Sequence, residues 1–305
     1  MANWTASDIP PQQHRTAIIT GTGGLGLQDA LALARAGANV IIAGRNPAKG
    51  QAAVDQVREQ VAGATVRFDL LDLASLASIE AFGRRLRTAC DSVDLLINNA
   101  AVMTPPTRQE TRDGFELQLG TNYLGHFALT AHLLPLLRKG KAPRVVTLSS
   151  VAARNGAIDF EDLQSTRRYK PMVAYGQSKL ACLMFAFELQ RHSDAAGWGV
   201  QSIAAHPGIS RTDLLPNGAG TWSFQGMARH ALWFLFQPAA QGALPTHYAA
   251  TSAQAQDGAY YGPNRLGETR GYPAAARVPA QALDTDDSAR LWAESARLTG
   301  MTHDL

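Results

Sequence analysis

The sequence predicts a doubly wound α/β fold, in which helices cover both faces of a parallel sheet. Short apolar runs of strand length alternate with longer segments in which Ala, Leu, Arg and Gln recur at helical spacing. This alternation is typical of parallel strands joined by helical crossovers. Because such crossovers are right-handed, the helices are expected on both faces of the sheet.

The elements follow one another in a regular order from residue 16 onwards. The predicted strands are residues 16–20, 39–43, 65–68, 93–97, 144–148 and 200–204, with a last short strand at 259–261. The predicted helices are residues 25–36, 47–61, 75–89, 114–138, 173–192, 226–236, 238–251 and 286–298. The apolar period and the length of each run distinguish the strands from the helices.

The chain has 305 residues and contains neither an internal repeat nor an interdomain linker. We therefore expect a single domain over residues 1–305 with the doubly wound architecture of a Rossmann fold. The strand–helix alternation ends at Ala205. Residues 206–236 begin as a loop rich in Pro and Gly, and residues 252–305 are expected to form a C-terminal extension.

Composition and charge exclude several classes of protein. The chain is 46% hydrophobic and 17% charged with a net charge of +3, and no Lys/Arg run is long enough for a nucleic-acid surface. Cys90 and Cys182 lack partners at metal-ligand spacing, so we expect free thiols and no metal site. The longest strongly apolar run, residues 231–236, is too short to cross a bilayer. A cytoplasmic location is expected.

A glycine-rich turn follows the first predicted strand. Its sequence is Gly21-Thr22-Gly23-Gly24-Leu25-Gly26, and the first helix begins within it. Glycines allow close approach of a pyrophosphate, and the first N–H groups of the helix are free to bind it. The turn therefore predicts a dinucleotide site.

The second strand ends without the acidic residue that usually binds the ribose hydroxyls of NAD. Gly44 and Arg45 occupy this position instead. A guanidinium suits the 2′-phosphate of NADP, so NADP is predicted over NAD. The alternative is an exposed arginine ahead of a helix.

Tyr175 and Lys179 are four residues apart in a predicted helix and share one face of it. A free phenol has a pKa of ~10. A neighbouring ammonium favours the phenolate and lowers that pKa, which suits a tyrosine to act as a general acid or base. Such a group is needed where a hydride moves to or from a carbonyl carbon.

These motifs, with others in the same order, resemble the short-chain dehydrogenase/reductase family, in particular its retinol-dehydrogenase-like and protochlorophyllide-reductase-like branch. The matching motifs include Leu71-Asp72-Leu73, Asn98-Asn99-Ala100, Thr121-Asn122-Tyr123, Ser149-Ser150, Tyr175–Lys179, His206-Pro207-Gly208 and Tyr260-Tyr261-Gly262-Pro263. The resemblance extends over nearly the whole chain, and it is specific for the family but not for a substrate.

The resemblance implies a catalytic set of four residues. Ser150, rather than Ser149, would hydrogen-bond the substrate oxygen, and Tyr175 would exchange a proton with it. Lys179 would favour the phenolate of Tyr175 and bind the nicotinamide ribose. Asn122 would interrupt its long helix and hold a water that relays protons to Lys179.

The resemblance also implies a set of cofactor contacts. They are Gly21, Thr22, Gly23, Gly24, Leu25, Gly26, Arg45, Asp72, Leu73, Asn98, Ala100, Tyr175, Lys179, Pro207, Gly208, Ile209 and Thr212. Asp69 competes with Asp72 for contact with the adenine. His126 and His206 are expected to be structural.

Two departures from the family pattern concern the cofactor site. The glycine turn is one residue shorter than usual between Gly21 and Gly24, and Ala101 stands where glycine is more common. We expect the cofactor to bind nevertheless, with an affinity that the short turn could alter.

The expected activity is NADP-dependent interconversion of a hydrophobic aldehyde or ketone and its alcohol. The resemblance implies that residues 206–236 form a lid over the substrate pocket. The hydrophobic class rests on aromatic residues of this lid region, including Trp222, Phe224 and Trp233. Two alternatives remain: reduction of an activated carbon–carbon double bond, and a non-catalytic dinucleotide sensor. The sequence is compatible with a monomer or a homo-oligomer.

Overall fold

The computed structural model describes residues 3–210 and 237–301. Within these residues the strands form one sheet of eight, in the order β3-β2-β1-β4-β5-β6-β7-β8. They are β1 Thr16–Thr20, β2 Asn39–Gly44, β3 Val66–Leu70, β4 Leu95–Asn98, β5 Arg144–Leu148, β6 Gln201–Ala205, β7 Tyr260–Arg265 and β8 Arg270–Ala275. Strands β1 to β7 run parallel, and β8 pairs antiparallel with β7. The predicted doubly wound fold is confirmed.

Helices cover both faces of this sheet. They are α1 Gly24–Arg35, α2 Pro47–Gln60, α3 Leu76–Ala89, α4 Gly125–Leu137, α5 Pro171–Ala196, α6 Ala239–Gly242, α7 Leu244–Thr251 and α8 Thr285–Thr299. Side chains fix several of their first turns: Asn46 accepts from the Lys49 N–H, Ser75 from that of Ser78, and Asp284 from that of Asp287. Such caps satisfy N–H groups that have no partner inside the helix.

The predicted helix over residues 114–138 was wrong at its start. A π-helical turn occupies Leu119–Leu124, and α4 follows it directly. The carboxylate of Glu116 accepts hydrogen bonds from the N–H groups of Gln118 and Leu119 at 2.9 and 2.7 Å. This capping sets the start of the helical segment, and the residues before it form a separate turn closed by Thr111 and Phe115.

Two other predictions of extent were wrong. The predicted helix over residues 238–251 is divided into α6 and α7. The sequence did not predict β8, which pairs with β7 and ends the sheet in an antiparallel hairpin. The predicted helix over residues 226–236 and most of the predicted lid over 206–236 lie outside the described residues.

One hydrophobic core lies on each side of the sheet. On one side, α8 packs across α4 and α5, where Trp292 stacks on Phe185 and meets Phe127 edge-on. The hydroxyls of Tyr123 and Ser295 are 2.7 Å apart and join α8 to the π-helical turn. No helix among the described residues is both long and apolar enough to cross a membrane.

Candidate active site

The turn after β1 is held by Asn99, which follows β4. The hydroxyl of Thr20 accepts the N–H groups of Asn99 and Ala100, both at 2.9 Å, and the Asn99 amide donates to the Thr20 carbonyl at 2.7 Å. A Cβ on Gly21 or Gly26 would meet that amide at 2.8 or 2.7 Å, and Gly21 also has φ of +102°. Both positions therefore require glycine.

A cavity of about 490 Å³ opens beside this turn. Its walls include Gly21, Thr22, Gly23, Gly24, Leu25, Leu27, Lys49, Gln56, Asn99, Ala100 and Ala101. Helix α1 starts at Gly24, and its N-cap residue Gly23 provides no side-chain hydrogen bond. The first N–H groups of α1 therefore need an external acceptor, and a pyrophosphate fits this requirement.

A second cavity of about 290 Å³ adjoins the first at the carboxyl ends of β2 and β3. Asp72, Leu73, Arg45, Lys49 and Thr121 are among its lining residues. This is the position at which an adenosine would extend from a pyrophosphate on α1. Lys49 was not among the residues predicted from the sequence, although it stands only four residues after Arg45.

Asp69 and Asp72, the two candidates for contact with the adenine, lie in different surroundings. Arg85 donates to the Asp69 carboxylate at 2.7 and 3.0 Å, and Arg67 is 3.3 Å from it. Asp72 lines the second cavity, and its carboxylate accepts only the nearby Ala74 N–H among the hydrogen bonds described. Asp72 is therefore the better placed of the two to contact a nucleoside.

Hydrogen bonds join the end of β5 to Lys179, one of the predicted catalytic residues of α5. The ammonium of Lys179 donates to the Leu148 carbonyl at 2.9 Å, and the Ser149 hydroxyl donates to the Lys179 carbonyl at 2.8 Å. Tyr175 lies one turn before Lys179 on the buried stretch of α5. Ser150 is half-buried and accepts the Ala152 N–H at 3.2 Å, so its own O–H remains available as a donor.

Asn122 lies in the π-helical turn, so the predicted interruption of the helix is present. Its side chain bonds both backbone groups of Val102 and donates to the Ser178 hydroxyl at 3.0 Å. Its carbonyl accepts from the His126 ring at 2.9 Å and from the Cys182 thiol at 3.2 Å. The structure thus links Asn122 to the α5 helix, and its role in a water relay stays a prediction.

Some predicted cofactor residues lie outside these two cavities. Asn98 is buried in β4, where its amide faces the hydroxyls of Thr130 and Thr147 at 3.3 and 3.5 Å, and it lines neither cavity. Pro207, Gly208 and Ile209 follow β6 at the same edge of the sheet. Gly26 supports the turn from behind, and Thr212 lies outside the described residues.

Both histidines that were expected to be structural are buried and hydrogen-bonded. Burial lowers the pKa of His126 to about 4, and its ring joins the Asn122 carbonyl to the Thr20 hydroxyl. Burial also lowers the pKa of His206, which contacts Glu268 and the N–H of Gly208. Among the described residues, no group of three His, Cys, Asp or Glu side chains could hold a metal ion.

The fold and the site define a class of protein: an oxidoreductase whose dinucleotide binds at the carboxyl edge of a doubly wound sheet, next to a tyrosine–lysine pair. A model of the short chain dehydrogenase family matches residues 15–219. The chain therefore belongs to the short-chain dehydrogenase family, and it acts on CH–OH or C=O groups with NAD or NADP.

Relatives extend this similarity over nearly the whole chain. Polyprenol dehydrogenase of Mus musculus is 40% identical over 299 residues, which cover 96% of this chain and 86% of that protein. Retinol dehydrogenase 13 of Mus musculus is 41% identical over 293 residues, covering 94% and 84%. A crystal structure of an uncharacterised protein from Mycobacterium Paratuberculosis is 39% identical, with a TM-score of 0.83 and full coverage of both chains. The predicted retinol-dehydrogenase-like branch is confirmed.

Proposed function

We propose that this oxidoreductase uses NADP and interconverts a hydrophobic aldehyde or ketone with its alcohol. The observation that carries the cofactor proposal is a pair of cations at the adenosine end of the site. Arg45 and Lys49 both line the second cavity, and both also line an adjoining cavity of about 470 Å³. Their charges favour a 2′-phosphate, and β2 ends at Gly44 without a carboxylate to repel one.

The substrate class is supported by two independent observations. The sequence places Trp222, Phe224, Trp233 and other aromatic residues in the region expected to close over the substrate. The relatives named for their substrates act on polyprenol and on retinol, both long apolar alcohols. A lipid-derived or terpenoid carbonyl compound is therefore the substrate class we propose.

The residues of the site would divide the chemistry among them. The bound dinucleotide supplies or accepts the hydride. The Ser150 hydroxyl donates a hydrogen bond to the substrate oxygen, and Tyr175 gives it a proton in the direction of reduction. The ammonium of Lys179, one turn further along α5, stabilises the phenolate that remains. We propose reduction as the physiological direction, and a cytoplasmic location stays a prediction from the sequence.

A binding titration tests the cofactor proposal. NADPH and NADH are titrated into the protein while energy transfer from tryptophan to the nicotinamide is followed. We expect tighter binding of NADPH, and the Arg45→Ala/Lys49→Ala variant should lose about 10- to 100-fold in NADPH affinity and clearly less in NADH affinity, because Lys49 also lines the pyrophosphate cavity that both cofactors share. The control is Lys139→Ala/Lys141→Ala, which removes the same charge next to the amino end of β5. Preferential binding of NADH by the wild type would contradict the proposal.

Turnover is then tested with retinal, a polyprenal and short-chain carbonyl compounds. We expect the two long apolar substrates to be reduced with higher kcat/KM than the short ones. Tyr175→Phe should abolish reduction and keep NADPH binding, because it removes only the proton donor. Activity that survives this change would argue for a different reaction on the same scaffold. Dinucleotide binding without turnover of any substrate would favour a sensor.

A further inference from the structure

The tip of the β7–β8 hairpin carries a carboxylate with three partners. Oε2 of Glu268 accepts from the His206 ring at 2.9 Å and is 2.6 Å from the Arg154 guanidinium. Oε1 accepts the backbone N–H of Arg277 at 2.9 Å. Glu268 has φ of +67°, which is uncommon for a residue with a side chain.

The partners of Glu268 belong to two segments that border the active site. Arg154 lies in the 3₁₀ turn Val151–Asn155, whose N-cap is Ser150, and it also donates to the Gly267 carbonyl at 3.1 Å. His206 follows β6, which pairs with β5 up to Leu148 and Ala205. The segment that starts at Ser149 and the segment that starts at His206 therefore lie side by side, and Glu268 bonds to both.

The His206 ring links Glu268 to the backbone of the segment that follows β6. Its ring is buried, and Nδ1 accepts the N–H of Gly208 at 3.2 Å. Nδ1 must therefore lack a proton, which leaves the Nε2–H to donate to Glu268. The carboxylate thus selects the tautomer that the Gly208 N–H requires. The His206 ring packs against Gly262, where a Cβ would collide with it.

The same hairpin holds the next residues of the segment. The Ile209 N–H donates to the Thr269 carbonyl at 2.8 Å. On the side of Ser150, the buried Tyr260 hydroxyl donates to the Ser150 carbonyl at 3.5 Å, and burial raises the pKa of Tyr260, which keeps it a donor. The hairpin therefore contacts both segments through several bonds, and Glu268 provides the only ionic one among the contacts described.

We propose that Glu268 is a positioning residue for the reaction, which holds the Ser150 turn and the His206–Ile209 segment in a fixed relation at the nicotinamide end of the site. This inference rests on the proposed function. The adenosine end of the site lies at β2 and β3, in the opposite half of the strand order from β6, β7 and β8. Glu268 should therefore influence binding of the nicotinamide half of the dinucleotide and not of the adenosine half.

The charge state of the network fits this role. Burial raises the pKa of Glu268, but the bonds from His206 and the Arg277 N–H outweigh burial and bring it down to about 2. Glu268 is therefore ionised near neutral pH. Burial lowers the pKa of His206, in agreement with a neutral ring that donates through Nε2.

The test compares whole dinucleotides with fragments that lack the nicotinamide. NADPH and NADH are titrated beside adenosine 2′,5′-bisphosphate and ADP, with wild type, Glu268→Gln and the control Glu294→Gln. Glu294 is likewise paired with an arginine, Arg297, but lies on α8. We expect Glu268→Gln to weaken binding of the preferred dinucleotide about tenfold, since it removes a charge-assisted contact. The variant should also have a lower kcat than the wild type. Fragment binding should stay unchanged.

The outcomes separate three cases. Equal weakening of dinucleotide and fragment, or a change in neither, would overturn the proposal. Wild-type protein that binds neither dinucleotide would contradict the proposed function, and the positioning role would fall with it. If Glu268→Gln does not fold, Arg154→Gln removes the ion pair and leaves the His206 bond in place, and it should cause a smaller loss for the dinucleotide alone. No such selective loss in that variant would equally overturn the proposal.

Discussion

The side chain of Asn122 and the backbone of Val102 exchange two hydrogen bonds. The Val102 N–H donates to Oδ1 at 2.7 Å, and Nδ2 donates to the Val102 carbonyl at 3.0 Å. The π-helical turn is thereby fastened to the loop after β4, and Val102 lines the second cavity. Asn122 consequently shapes the wall of the dinucleotide site through its side chain.

Asn122→Ala is expected to reduce both stability and dinucleotide affinity. The change leaves two backbone groups of Val102 without partners, which should cost roughly 1–3 kcal/mol of unfolding free energy. Urea denaturation measures this loss, and a titration measures the affinity. Thr121→Ala is a matched control for stability, because the adjacent Thr121 hydroxyl has no hydrogen-bond partner among the described residues. Equal stability of the two variants would show that the Val102 bonds contribute little.

The two serines at the end of β5 are expected to respond in opposite ways. The Ser149 hydroxyl is buried and donates to the Lys179 carbonyl, so Ser149→Ala should lower the unfolding free energy by about 1 kcal/mol. Ser150→Ala should cost less stability, because it loses only the 3.2 Å capping bond from the Ala152 N–H, and it should lower kcat about 100-fold, because it removes a donor to the reacting oxygen. Each variant is the control for the other, with denaturation and steady-state kinetics measured on both. A larger loss of kcat in Ser149→Ala would reverse the assignment.

The regular part of the fold could be predicted from the sequence because buried parallel strands are continuous apolar runs. Strand β8 gave no such signal, since all of its residues, Arg270–Ala275, are at least partly exposed. The start of the helical segment that contains Asn122 was predicted too early, because its apolar pattern begins before residue 116. In the structure the start is set by the Glu116 carboxylate, which accepts the N–H groups of Gln118 and Leu119.

Some residues of the site could likewise be predicted from the sequence, and others could not. Tyr175, Lys179 and the glycine turn are local patterns, and a short spacing identifies them. Lys49 could have been found as a second cation in the first turn of α2, four residues after Arg45. Glu268 could not, because its contact with His206 spans 62 residues and its own neighbours carry no motif. Contacts of this kind arise from the arrangement of the strands and have no short-range signature in the sequence.

The position that usually selects NAD is sterically coupled to the shortened glycine turn. A Cβ on Gly44 would approach the Thr22 methyl group to 2.7 Å. Gly44→Asp alone should therefore weaken NADPH without creating a good NADH site, because Thr22 obstructs the new side chain and the carboxylate repels the 2′-phosphate. Gly44→Asp/Thr22→Gly should bind NADH better than the single variant does. Titrations of both cofactors measure this, and equal NADH affinity in the two variants would show that Thr22 is no obstacle.

The unfolding free energy is expected to decrease as the pH is lowered, because His126 is protonated more readily in the unfolded chain. Burial lowers the pKa of this imidazole from 6.5 to about 4 in the folded chain. Between these two values the unfolded chain binds more protons than the folded one, so the unfolding free energy decreases as the pH decreases. Full protonation in both states would cost roughly 3 kcal/mol, since each pKa unit corresponds to about 1.4 kcal/mol.

Urea denaturation at several pH values between 7 and 4 measures this loss in the wild type and in His126→Gln. The variant is expected to be less stable at pH 7, because its amide replaces the bonds to Thr20 and Asn122 imperfectly, but its stability should depend less steeply on pH. His14→Gln, which removes an exposed imidazole, is the matched control and should follow the wild-type curve. Parallel curves for the wild type and His126→Gln would show that the charge on His126 does not account for the acid sensitivity, and that other buried groups must carry it.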